Sequence, residues 1–264
     1  DPRMAQTVLC PGYIAKGEES VTANDMTAMT GYEPIKFVST AAHSGASKGT
    51  SDWPLFRTAE VYLNYAEAKA ELGTLTKDDL LISIDRIRDR AGMKGLDMAA
   101  ANANPDPFLL ACYPNVTKSE NTGVILEIRR ERTIELVMEG LRMWDMFRWK
   151  EGAQLVNETN PYYGIYFSGP GLYDMDGDGR NDLELYVDKQ TSSPADGLTV
   201  LRIGSDIILS DMAENRGYVV AWSTLKYTWN EERDYLWPIP ADQRVLTGGL
   251  LTQNPGWTDS TDFD

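Results

Sequence analysis

The chain has 264 residues, 42% of them hydrophobic, enough for a sizeable core in one large domain or two small ones. Its 40 Asp and Glu against 25 Lys and Arg give a formal charge of −15. That balance argues against nucleic-acid binding, which needs a basic face to displace counterions from phosphates, and it favours attraction for cations.

The chain opens on Asp-Pro-Arg-Met, without a charged n-region or an apolar h-region, so any targeting or lipidation signal is expected upstream. No apolar run approaches the ~18 residues that mark a membrane span. Cys10 and Cys112 fit neither a disulfide framework nor metal-ligand spacing and read as two buried thiols. Residues 1–54 show weak periodicity and many Gly, Ser and Thr, which predicts loops with one or two short helices or strands.

From Leu55 the pattern becomes helical. "LFRTAEVYLNYAEAKAELG" sets Ala59, Tyr62, Leu63, Ala66 and Ala70 on one face and stops at Gly73. Thr76 and Asp79 form a capping box before a second helix, whose face carries Leu80, Ile84, Ile87 and Ala91 and which ends at Gly92. Residues 55–92 thus predict a helical hairpin of tetratricopeptide size, with no clean second copy. The Pro- and Asn-rich stretch 93–121 reads as a connection. A long helix is predicted over 124–150, bent or divided at Gly140. After Asn160 Pro and Gly recur, and residues 162–167, 183–187 and 198–203 read as short strands. The segment "DIILSDMAENRGYVVAW" (206–222) is assigned one more helix, and 235–240 must be extended because of its prolines. The expected fold is mainly α, with tetratricopeptide-like hairpins, irregular loops and a small β element in the C-terminal third.

Two constellations carry chemistry. In "DMDGDGRND", Asp174, Asp176 and Asp178 alternate, Gly179 permits a tight reversal, Arg180 offers its carbonyl at the seventh position and Asp182 stands at the ninth. A hard cation wanting six or more oxygens, Ca²⁺ above all, suits that spacing. Leu185 replaces the twelfth-position Glu and a strand follows, so the loop is read as a structural Ca²⁺ site rather than a catalytic one. Along the long helix, Glu127, Glu131, Glu135 and Glu139 recur at i,i+4, with Arg130 and Arg142 three residues beyond Glu127 and Glu139 and Arg148 three beyond Asp145. Neighbours on one helix do not flank a sugar from two faces, and adjacent arginines keep them ionised. Ion-pairing is therefore favoured over a glycosidase centre. His43 is the only histidine, on what reads as an exposed loop, and no P-loop, G-x-G-x-x-G or G-x-S-x-G is present. Of the aromatics in loops and short strands, among them Tyr162, Tyr163, Tyr166, Trp222 and Trp229, most are expected to fill cores.

Four ordered stretches, "DPRMAQTVLCPG", "WPLFRTAEVYLNYAEAKAELG", "IRRERTIELVMEGLRMWDMFRWK" and "YLWPIPADQRVLTGGLLTQNPGW", resemble the C-terminal half of SusD/RagB-family proteins. The matching positions include Arg57, Glu60, Glu67, Glu131, Arg132, Glu135, Glu139, Gly140, Arg142, Trp144, Asp145 and Arg148. The resemblance implies one domain over 1–264, with the family's N-terminal half absent. It implies a lipid-anchored protein on the outer face of the outer membrane. Such a protein binds an oligosaccharide without turnover and delivers it to a SusC-like TonB-dependent transporter. Family ligand sites use loops, which nominates Tyr13, Tyr32, Phe37 and Trp53 near the start. A helical-repeat module that binds peptide or protein and no sugar is the competing reading.

Overall fold

The computed structural model describes residues 1–258 except 44–46, 51, 53, 157–161, 195–196 and 226. The predicted hairpin is present in three pieces. Helix α1 (Met4–Thr7) precedes it, and α2 (Thr58–Glu71) buries Leu63, Ala66 and Ala70 on the expected face. The second arm is broken into α3 (Lys77–Leu81) and α4 (Ile84–Arg90), with Ser83 between them donating its hydroxyl to the Asp79 carbonyl. The Thr76–Asp79 capping box is formed. The Asp79 carboxyl also accepts from the Tyr65 hydroxyl, and these two partners hold it well below the usual carboxylate range.

Residues 93–121, expected to be a plain connection, hold two helices among the described residues. Asp97 caps α5 (Met98–Ala103), accepting from Ala100 N at 3.0 Å, and Asp106 caps α6 (Pro107–Cys112), accepting from Phe108 N at 2.8 Å. An Asp N-cap followed by Pro at the first helical position is a start signal that the Pro/Asn content obscured. The long helix is divided into α7 (Thr122–Glu135) and α8 (Arg142–Arg148), with Met138 and Gly140 in left-handed conformations between them. Val124, Ile125, Leu126 and Ile128 of α7 are buried against α2 and α4, with Met146 and Trp149 in the same core. Arg129 is also buried here, its guanidinium 4.5 Å from the Trp149 ring centroid and 5.4 Å from that of Tyr113. Both cysteines are free and half-buried rather than fully buried. No helix among the described residues is long and apolar enough to cross a membrane.

Two three-stranded sheets follow among the described residues. The strands are β1 (Tyr163–Phe167), β2 (Gly171–Tyr173), β3 (Leu183–Tyr186), β4 (Thr199–Arg202), β5 (Leu209–Asp211) and β6 (Arg216–Val220). Their orders are β1-β6-β5 and β2-β3-β4, with β3 and β4 parallel. Phe167, Leu183, Leu185, Ile203, Ile207, Leu209 and Val219, drawn from both sheets and the turns beside them, make a second core. The helix assigned to 206–222 is therefore wrong: the segment is the β5–β6 hairpin. Ile207, Leu209, Val219 and Ala221 are buried at alternate positions, and Asn215 turns the chain at φ +53, a conformation Asn tolerates. A short helix α9 (Ala241–Leu246) starts directly after Pro240.

The α7 glutamates are the junction of the helical part. Glu135 accepts from Arg57 Nη1 (2.7 Å), Arg90 Nη2 (2.7 Å) and Arg3 Nη1 (3.1 Å), and Glu131 from Arg3 and Arg88. Glu139 pairs with Lys36 at 2.6 Å and Arg57 at 2.7 Å, not with Arg142. Burial alone would raise the Glu139 carboxyl, but Arg57 and Lys36 outweigh it and hold the group below its ordinary value. Glu127–Arg130 (3.2 Å) and Asp145–Arg148 (3.0 Å) form as the spacing predicts. Removing Glu135 leaves three guanidinium groups without their shared carboxylate. Urea unfolding of Glu135→Ala is expected to show a loss of ~3–5 kcal/mol, and Glu127→Ala, whose partner is partly exposed, a loss within ~1 kcal/mol.

Candidate ligand-binding site and acidic loop

Strand β1 is built around a glycine. A Cβ on Gly164 would stand 2.1 Å from the Thr30 carbonyl oxygen, so the backbone of the 24–32 segment lies directly on the strand. Ile165 N donates to that carbonyl at 2.9 Å, and Asn24 Nδ2 ties the segment internally by donating to Gly31 O at 2.6 Å. With one side of β1 covered, its tyrosines face out.

The register of β1 against β6 shifts between Tyr163 and Tyr166, so two residues three apart stand on the same exposed face. Tyr166 lies opposite Tyr218 of β6. The Tyr163 and Tyr218 rings are nearly parallel at 5.6 Å between centroids, and Tyr166 meets Tyr218 edge-on at 5.2 Å. Tyr163 and Tyr166 thus both meet Tyr218, yet the three remain 41%, 54% and 47% exposed for Tyr163, Tyr166 and Tyr218. Aromatics in mutual contact usually bury themselves, so an exposed trio is a surface that something else can cover. Arg216, paired with Asp211 at 3.3 Å, stands two residues from Tyr218 on the same strand and supplies polar groups at its edge.

The acidic loop between β2 and β3 brings carboxylate oxygens of Asp174, Asp176 and Asp182 within 4.8 Å of one another. Gly177 and Gly179 take left-handed φ values of +80 and +89. Asp176 is buried, and desolvation together with the Asp182, Asp178 and Asp174 carboxylates pushes its carboxyl up. Asp178 lies outside this group of three, its carboxylate accepting from Arg180 N at 2.7 Å. The loop also fastens the start of the chain, since Gly12 N donates to the Asp176 carbonyl at 2.7 Å.

Comparison with known proteins decides the family. The model of the SusD family matches residues 1–257. The chain belongs to the SusD family. Two solved structures from Bacteroides fragilis share its fold at 22% identity. One is a SusD-like protein, with TM-score 0.55 over 97% of this chain; the other is a SusD-like carbohydrate binding protein, with TM-score 0.50 over 93%. The chain spans 38% and 40% of their lengths. No curated protein matched it.

Within this SusD-family chain the four nominated aromatics fall in different places. Tyr13 is half-buried and flanks the acidic loop through Gly12. Tyr32 is exposed beside Gly31, whose missing side chain leaves room for Ile165 of β1. Phe37 is exposed at φ +68, lies under Lys36 Nζ and lines a cavity of about 240 Å³ over Glu135 and Glu139. Trp53 lies outside the described residues. The exposed trio on β1 and β6 was missed because strict two-residue alternation puts Tyr163 and Tyr166 on opposite faces, and because Tyr218 lay inside the expected helix. Gly164→Ala, which drives a methyl into the Thr30 backbone, is expected to cost ~1–3 kcal/mol in thermal or urea unfolding.

Proposed function

We propose that this chain holds a neutral oligosaccharide, without turning it over, on the Tyr163–Tyr166–Tyr218 face. The exposed trio, with Tyr163 and Tyr166 both against Tyr218, is the observation that carries this reading. A pyranose ring presents a flat C–H side that packs on an aromatic face, and its hydroxyls bond to tyrosine O–H groups and to the polar rim. The net charge of −15 disfavours sulfated or uronic sugars. Support for a carbohydrate comes also from the SusD-like carbohydrate binding protein of B. fragilis that shares the fold. The carboxylates of Glu131, Glu135 and Glu139 are engaged in ion pairs, an arrangement suited to scaffolding rather than to acid catalysis. In this reading the protein is tethered by a lipid anchor beyond this chain to the outer face of the outer membrane. There it passes its ligand to a SusC-like TonB-dependent transporter.

Calorimetry against neutral glycans is expected to give micromolar or weaker binding, a free energy of about −8 kcal/mol or less negative. The Tyr166→Ala/Tyr218→Ala variant should bind at least about tenfold more weakly. Equal affinity in that variant contradicts the assignment, and release of shorter sugars contradicts the non-catalytic reading. Retention on immobilised peptide with no glycan binding would favour the peptide module.

We infer too that Asp174, Asp176 and Asp182 hold a structural Ca²⁺, with Asp178 and the Arg180 carbonyl as further oxygens. The convergence of three carboxylates around a buried Asp176 supports this, because a dication offsets their mutual repulsion. At a hundredfold excess over Kd, such an ion adds ~2.7 kcal/mol. The melting temperature should therefore rise by several degrees with Ca²⁺ and fall with chelator, and Asp182→Asn should lose that response. A melting temperature indifferent to chelator refutes the site.

A further inference from the structure

Where the tyrosine face ends, a cavity of about 400 Å³ begins, a volume within the range of small-molecule sites. It lies between the 24–30 segment, the end of β6 and the turn that follows. Val220 joins the two features. It lines the cavity, stands two residues from Tyr218 on the same face of β6, and is the register partner of Tyr163.

The lining combines an aromatic plane with hydroxyls. Trp222 is 42% exposed, and Tyr162 holds it edge-on at 6.1 Å between centroids and an interplanar angle of 88°. Thr27, Ser223 and Thr224 contribute hydroxyls. The Asp206 carboxylate, fixed by Arg202 N at 2.8 Å, adds an acceptor. No Lys or Arg is among the described lining residues, which disfavours a phosphate or carboxylate ligand. Two lining residues are also strained: Met26 and Trp222 take φ values of +60 and +53. Bulky side chains rarely adopt that region, and such strain concentrates where a ligand is clamped.

We propose that this cavity seats the terminal sugar of the oligosaccharide whose preceding units lie on Tyr163, Tyr166 and Tyr218. The inference rests on the tyrosine face being the glycan platform. Trp222 stacks on the end unit, while the hydroxyls and Asp206 take its free hydroxyl groups. A chain end is then recognised separately from the chain interior.

Trp222→Gly isolates the claim, because glycine adopts φ +53 without steric cost and the ring alone is lost. The probes are malto-, cello-, xylo- and mannotetraose, with the parent polysaccharide of whichever binds best. Against that tetrasaccharide, Trp222→Gly should bind about tenfold more weakly. Against the polymer, whose interior units cover the platform and whose ends are scarce, it should match the unmodified protein. Should Trp222→Gly prove less stable, Thr27→Val/Thr224→Val gives the same comparison with the ring in place. Unchanged tetrasaccharide affinity in these variants, beside a weakened Tyr166→Ala/Tyr218→Ala variant, overturns the terminal site and leaves the platform standing. Unchanged affinity in the tyrosine variant overturns the platform itself and the terminal site with it.

Discussion

Glu135 and its neighbours on α7 are the point to which the helical part is tied. Arg3 reaches them from the N-terminal segment, Arg57 from just before α2, and Arg88 and Arg90 from the last turn of α4. Three stretches distant in sequence thereby converge on one helix. Lys36 adds a fourth, donating to the Glu135 and Val137 carbonyls at the end of α7, where a cation suits the helix dipole. Apolar packing by Leu63, Ile84, Ile87 and Val124 supplies the bulk of the stabilising burial. The charged network instead fixes orientation, because each carboxylate taken from water must be matched by its donors.

That division of labour extends to the proposed function. Glu131 and Glu135 are each committed to two or more guanidinium groups, so this acidic stretch ties the framework together. The proposed ligand face lies instead on the β part, which carries its own core. There the controlling constraint is the contact of Gly164 with Thr30. It covers one side of β1 and turns Tyr163 and Tyr166 outward beside Tyr218. Family membership sets the frame, while the proposed ligand face is a local construction on it.

Much of the helical part was legible in the sequence. The 3.6-residue spacing of Leu63, Ala66 and Ala70, the Thr76–Asp79 box and the break at Gly140 all appear where local chemistry puts them. Partners were less legible than elements. Glu139 had Arg142 within helical reach but pairs with Lys36 and Arg57, because long-range donors arrive only when the chain folds. The hairpin at 206–222 was misread since Ile207, Ile208 and Leu209 form an apolar run too short to reveal its period. The tyrosine face depends on a register shift between Tyr163 and Tyr166, and a shift of that kind leaves no mark on composition or spacing. Acidic-loop spacing was read directly, and the structure gathers three of its four carboxylates.

The most direct measurement is a crystal structure of the protein with the best-binding neutral tetrasaccharide. Sugar rings are expected against Tyr163, Tyr166 and Tyr218, with the helical framework unmoved and the Glu135 pairs intact. Sugar seated instead beneath Phe37, over Glu135 and Glu139, with the tyrosine face bare, would contradict it.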